Sequence, residues 1–336
     1  GGGTATGGGT ATGGGAATGG GAGVLSAAAI MWSGHSLTDN PLPDDVELIA
    51  QHFGLGAQYE QQNIPGSPIR VRTVGHGQDP RQNPWTGYTQ GKNRVGAGRD
   101  LVAELRSPTQ VGGHYTTLII AENHNALDML RWENTVPFLR HYYELFHEGS
   151  PAGRGYFYAT WKDVFDKANP SAWIAHERAQ LELWESVTSR VNDSLIAEGR
   201  SDRLATLPAS GALAELVSQA TGIAGVSGVT QGTNEATLDV LFSDAVHLTR
   251  TGVYYVACVV FSAVYGRSPV GAPAPSGVDA TAAASLQSLA WSYVSTYYAA
   301  DPLGPQWGSQ TRLSKVYDFI SLYFTYRSDP GAISGY

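Results

Sequence analysis

Apolar residues along the chain recur with two different periods. Residues 27–32 (Ala-Ala-Ala-Ile-Met-Trp), 116–121, 155–161 and 204–208 are short apolar or aromatic runs bounded by turn residues, and each reads as a strand buried on both faces. The more polar run 58–63 reads as a further strand, ending at the Pro65-Gly66 turn. Between these runs, apolar positions return at helical spacing. Residues 44–50 open with two acidic side chains, as suits a first helical turn. Residues 126–146 read as a helix that Pro137 bends or interrupts, and 171–197 as a long amphipathic helix with Leu181, Trp184 and Val187 at core spacing. Further helices are expected at 212–221, 253–265 and 280–299. Strands that alternate with helices predict an α/β fold, its mainly parallel sheet covered on both faces. Two stretches break the pattern. Residues 68–114 are rich in glycine and proline and read as a long irregular insertion, and 302–336, aromatic and glycine-rich, as an extension that wraps the domain or meets a partner.

Composition narrows this picture. A chain of 336 residues with 42% hydrophobic side chains can bury a sizeable core. A net charge of −8, with Lys92, Lys162, Lys167 and Lys315 as the lysines and no basic run, argues against a nucleic-acid surface. Cys258, alone of its kind, sits in an apolar run and reads as a buried structural thiol. No apolar stretch reaches the roughly 18 to 20 residues of a transmembrane helix. Residues 1–23 repeat Gly-Gly-Gly-Thr-Ala-Thr and carry no side chain able to build a core. They are expected to be a linker, or an extended arm through which the protein self-associates. The start at Gly1 suggests a processed product, and with it a secreted, periplasmic or cell-surface location. The resulting organisation is an arm (1–23), a main domain (24–270, carrying the 68–114 insertion) and a C-terminal helix and tail (271–336).

Two stretches carry the candidate chemistry. Gly34 lets the first strand turn sharply and hand over Ser36 at its carboxyl end, where ligand crevices form in α/β sheets. Some two hundred residues on, Asp244 and His247 lie three apart, just before an apolar helical run. A serine hydroxyl needs a base to take its proton, and an imidazole in that role needs a carboxylate to fix its tautomer. These residues, with two further stretches, resemble the SGNH hydrolases, the GDSL-like esterase and lipase superfamily. Gly34-His35-Ser36-Leu37 resembles the first block, with Ser36 as nucleophile, and Gln62-Asn63-Ile64-Pro65-Gly66-Ser67 the second, whose glycine N–H joins the oxyanion hole. Leu118 to Asn125 resembles the third block, a strand followed by a hole asparagine; Asn125 matches better, with Asn123 as the alternative. Asp244-Ala245-Val246-His247 resembles the fifth. The likeness spans roughly residues 24–270. It departs from the family where His35 replaces the usual Asp and where the third block lacks its glycine.

The resemblance implies a three-layer α/β/α sandwich, flavodoxin-like, and a serine esterase that removes small acyl groups, often acetyl, from carbohydrate or related esters without a cofactor. Transfer of the acyl group to a hydroxyl in place of water is a close variant. The other reading is a structural, surface-assembly protein on the same fold, joined through its non-core ends. The nine histidines show no HExxH or clustered carboxylate spacing, so no metal is expected. His35, His124 and Glu122 should lie near Ser36, to contact substrate or support loops. Trp85 and Tyr88, in an insertion that begins just after Gly66, either stack on a sugar ring at the mouth of the site or simply anchor the loop.

Overall fold

In the computed structural model of the chain, residues 25–76, 85–98, 100–108 and 111–328 are described, the last eight of them by backbone alone. The arm over 1–23 lies outside the described residues. The apolar runs become parallel strands: β1 (Ala27–Gly34), β2 (Gly56–Asn63), β3 (Thr117–Ala121), β4 (Arg154–Tyr158) and β5 (Leu204–Leu207). They form one five-stranded sheet in the order β2-β1-β3-β4-β5, every pair parallel. After β2 the chain crosses to the other side of β1, so the order reverses between β1 and β3. The carboxyl ends of strands at such a reversal are the usual place for a ligand in a sheet of this order.

Side chains alternate between two cores, as the two-residue period of a strand requires. Ile30, Trp32 and Ile119 face one core, and Met31, Leu118 and Ile120 the other. The first is closed by α1 (Leu42–His52), α7 (Ala209–Ala220), α9 (Arg250–Tyr265) and α10 (Ala280–Tyr297). The second is closed by α5 (Thr135–Gly149) and α6 (Ser171–Ala197), where Leu181, Trp184 and Val187 are buried. The fold is thus a three-layer α/β/α sandwich. Cys258 is buried within α9, and burial pushes its thiol up, away from reactivity.

Two expectations need revision, and a third gains detail. The break in the helix over 126–146 lies ahead of Pro137: α4 (Ala126–Trp132) ends, Asn134 takes a left-handed φ of 50°, and α5 starts at Thr135. Pro137 then sits in the first turn of α5, where the N–H it lacks would have had no helical partner. The 68–114 insertion is not irregular throughout. It holds α2 (Ile69–Val74), a 3-10 turn (Thr86–Thr89) and α3 (Leu101–Arg106), whose N-terminal amide at Ala103 is capped by the Asp100 carboxylate at 3.1 Å. As far as Ser328, the C-terminal stretch packs against the domain. Leu286, Ala290 and Val294 of α10 belong to the first core, and α11 (Ser309–Ser328) buries Phe319 in the second. The remaining helix, α8 (Asn234–Leu241), leads into the loop before α9.

Candidate active site

The loop that carries Ser36 is built by a close approach. A Cβ on Gly34 would stand 1.8 Å from Thr38 Oγ1, so only glycine lets the turn close. Thr38 Oγ1 accepts from the His35 amide at 3.1 Å and donates to the His35 carbonyl at 3.0 Å. Asn63, at the end of β2, donates from Nδ2 to the same carbonyl at 2.8 Å. The outcome is a short 3-10 turn, Ser36–Thr38, with Ser36 exposed at the carboxyl end of β1.

Asp244 and His247 come from the loop between α8 and α9. That loop is closed at its base by Ser243 N to His247 O at 2.8 Å and Thr249 N to Leu241 O at 2.9 Å. It is tied to the chain after β4 by Trp161 Nε1 to Val246 O at 2.8 Å and Val164 N to Ala245 O at 2.7 Å. Asp244 Oδ1 accepts from the amides of Val246 at 2.7 Å and His247 at 2.6 Å, while Oδ2 meets His247 Nδ1 at 2.7 Å. His247 Nε2 lies 3.0 Å from Ser36 Oγ. A carboxylate only accepts, so Nδ1 carries the ring proton and Nε2 is left to accept from the serine. For the Asp244 carboxyl, desolvation is the largest influence and acts upward. The His247 amide, the His247 ring and the Val246 amide together outweigh it and hold the group below its ordinary value.

Gly66 is exposed, with a left-handed φ of 66°. Its amide and that of Ser36 have no hydrogen-bond partner among the described residues. Of the two asparagines, Asn123 adjoins Gly66: its Nδ2 donates to Gly66 O at 2.9 Å, and its Oδ1 accepts from the Asn125 amide at 3.0 Å. One Nδ2 hydrogen remains after the bond to Gly66. Asn125, the expected donor, instead opens α4, and its Oδ1 accepts from Lys162.

His35 and Glu122 do not offer side chains to a substrate, because both are buried beneath the site. His35 Nε2 meets the Glu122 carbonyl at 3.0 Å, and its Nδ1 accepts from Leu37 N at 3.4 Å. Desolvation, reinforced by the Arg72 charge, brings the imidazole down to about 3, so it is neutral near pH 7. The Glu122 carboxylate accepts from the Ile69 and Asn123 amides, at 2.9 and 2.8 Å, and from Thr135 Oγ1 at 2.8 Å. Arg72, which the sequence reading passed over, is also buried. It donates to Ser33 Oγ at 3.0 Å, to Ser67 O at 2.6 Å and to Ala121 O, stapling the ends of β1 and β3 to the turn after Gly66. His124 stays at the rim, half-exposed, with Nε2 3.5 Å from Asp163, which also pairs with Lys162 at 3.0 Å.

Trp85 and Tyr88 lie elsewhere in the fold. Trp85 stacks on His141 of α5 at 3.8 Å between ring centroids, and Tyr88, buried, bonds His141 Nδ1 through its hydroxyl at 3.0 Å. Neither borders the cavity of about 190 Å³ beside Ser36. That cavity is walled by Pro41 and Leu42 of the α1 start, by Trp161, and by Val253 and Val256 of α9. Among the described residues no three His, Cys, Asp or Glu side chains are grouped to hold a metal ion, and no helix is long and apolar enough to cross a membrane.

No protein-family model matches the chain, and no curated protein matches it. Among solved structures, it is similar to the crystal structure of a DUF4886 family protein from Bacteroides uniformis, with a TM-score of 0.52 and 14% identity over 81% of this chain and 96% of that one. At that identity the likeness concerns the fold.

Proposed function

We propose that the chain is a serine ester hydrolase of the SGNH kind. The observation that carries the reading is the line Asp244–His247–Ser36, with contacts of 2.7 and 3.0 Å, the second between side chains 211 positions apart in the sequence. In the first step Ser36 Oγ attacks the ester carbonyl as its proton passes to His247 Nε2. The carbonyl oxygen, now negative, is met by the Ser36 and Gly66 amides and by the second Nδ2 hydrogen of Asn123. His247 returns the proton to the departing alcohol, leaving an acyl group on Ser36. Water, activated by His247 in its turn, then releases the acid; a hydroxyl in place of water would make the same site a transferase. Stacking of a sugar on Trp85 and Tyr88 drops out of the reading, since both rings pack into the fold.

Replacing Ser36 by Ala should lower kcat/KM on p-nitrophenyl acetate by roughly 10⁴-fold or more, as loss of a triad nucleophile does. Circular dichroism should show the fold unchanged, since Ser36 is exposed. A Ser36→Ala protein as fast as the parent rejects the assignment.

A further inference from the structure

The cavity beside Ser36 is larger than an acetyl group needs. A methyl group, about the size of a water molecule at roughly 30 Å³, would leave most of its 190 Å³ open. An apolar cavity of about 150 Å³ holds benzene. We propose that this cavity is a subsite for a compact apolar group of the ester, about the size of a benzene ring, and that such esters are preferred over acetates of small alcohols. The proposal rests on Ser36 as nucleophile and names the substrate class for that site.

Three features argue for a built subsite. The walls come from separate elements that are themselves fixed: Leu42, Trp161 and Val256 are buried, and the Trp161 ring is locked by its bond to Val246 O. The lining is mixed, polar as well as apolar, and the cavity opens to solvent on one side. Asp39 and Asn40 also border the cavity, and both are anchored, Asp39 Oδ1 by the Asn40 amide at 2.9 Å and Asn40 Oδ1 by the Tyr59 hydroxyl at 3.0 Å. A long alkyl chain would have to run past a carboxylate, which sets a limit on length. The cavity also borders Ser36 and His247 but neither Gly66 nor Asn123, so it lies away from the oxyanion side. What enters it is therefore one of the two remaining arms of the ester, the acyl substituent or the alcohol.

The experiment measures kcat/KM by pH-stat in two series, ethyl esters of acids of increasing length and acetates of alcohols from methyl through benzyl to decyl. In one series the rate should rise about fourfold per added methylene, the equivalent of about 0.8 kcal/mol each, up to about six carbons and then fall. The series that shows the optimum identifies the arm. Val253, half-buried at the cavity wall, allows both a filling and an enlarging change. Val253→Phe should cut the ratio of six-carbon to smallest-substrate rates at least about tenfold, and Val253→Ala should move the optimum to longer or bulkier groups. Rates that are flat in both series, or that climb steadily to the longest chains, overturn the subsite, as does an optimum that neither variant moves. Ser36→Ala separates the two readings. If it abolishes hydrolysis of ethyl acetate while the series are flat, the nucleophile stands and the subsite falls; if it leaves the rates intact, both fall.

Discussion

Gly34 is the residue on which the position of Ser36, the proposed nucleophile, depends. An alanine there would drive its Cβ into Thr38, whose hydroxyl both donates to and accepts from the His35 backbone. Gly34→Ala should therefore tilt the 3-10 turn and move Ser36 away from His247. A displacement of about 1 Å costs on the order of 100-fold in rate. The expected result is a fall of that size in kcat/KM on p-nitrophenyl acetate, partly recovered when Thr38→Ala removes the hydroxyl, the nearest of the clashing atoms, and leaves the Thr38 Cβ at 2.9 Å; a single variant with parental rates would show that the turn tolerates the Cβ. At this scale the sequence was readable where a residue's setting is local. Ser36 follows a strand and a glycine, Gly66 ends a Pro-Gly turn, and Asp244 and His247 share one short loop. It was not readable where a setting depends on distant neighbours. Nothing in the spacing of Asn123, His124 and Asn125 says which amide faces Gly66: Asn123 Nδ2 reaches Gly66 O, while Asn125 Oδ1 accepts from Lys162, which comes from the chain after β4. His35 and Glu122 looked like site residues because they sit at strand ends, and only the packing of Arg72 and Ile69 over them shows that they are buried.

At the scale of elements, the proposed nucleophile and base ride on loops that precede two neighbouring helices, α1 and α9. One ion pair joins the starts of these helices: both terminal guanidinium nitrogens of Arg250, Nη1 and Nη2, meet the Asp45 carboxylate, Nη2 at 2.6 Å, and the Asp45 side chain is 3% exposed. Burial pushes the Asp45 carboxyl up more than Arg250 pulls it down, so the pair does more for position than for stability. Arg250→Met should strand the buried carboxylate and lower the unfolding free energy in urea by about 3 kcal/mol. Adding Asp45→Leu should restore most of that stability, because an apolar pair of similar volume avoids the desolvation cost. It should not restore kcat/KM, since the fixed geometry between the two loops is gone. Recovery of both together would mean that the pair has no positioning role. The apolar runs located the strands and most helices because sheet and core demand them; α11 was hidden because its sequence shows no clean apolar stripe, and packing of Phe319 and Val316 near α6 holds it in place.

On the scale of the whole molecule, the alternation of strands and helices was enough to read a parallel α/β sandwich, since an element with one apolar face must find another layer to cover it. Buried ionisable groups were not readable in the same way, and they make stability depend on pH in opposing directions. An ordinary histidine takes up a proton below 6.5, but His35 in the fold does so only near pH 3, chiefly because it is desolvated. The unfolded chain thus binds more protons across that window, and stability is lost as pH falls through it, at up to about 1.4 kcal/mol per unit. Glu185 acts the other way. Burial raises its carboxyl from 4.5 to about 7, against the opposing pull of the Tyr297 hydroxyl and the Trp307 indole N–H. Here the folded state keeps a proton that the unfolded chain releases, so stability is lost as pH rises from 4.5 to 7. One group sits under the nucleophile loop, the other where α6 meets the C-terminal helices, and in the parent their slopes partly cancel. Urea unfolding between about pH 4.5 and pH 6.5 should separate them. The stability of the parent relative to His35→Gln should increase with pH, and that relative to Glu185→Gln should decrease. What either substitution costs in packing enters as a constant offset and leaves the slope untouched. A His35→Gln difference that stays level across the range would mean that the imidazole titrates freely, and the close-packed support beneath Ser36 would have to be redrawn.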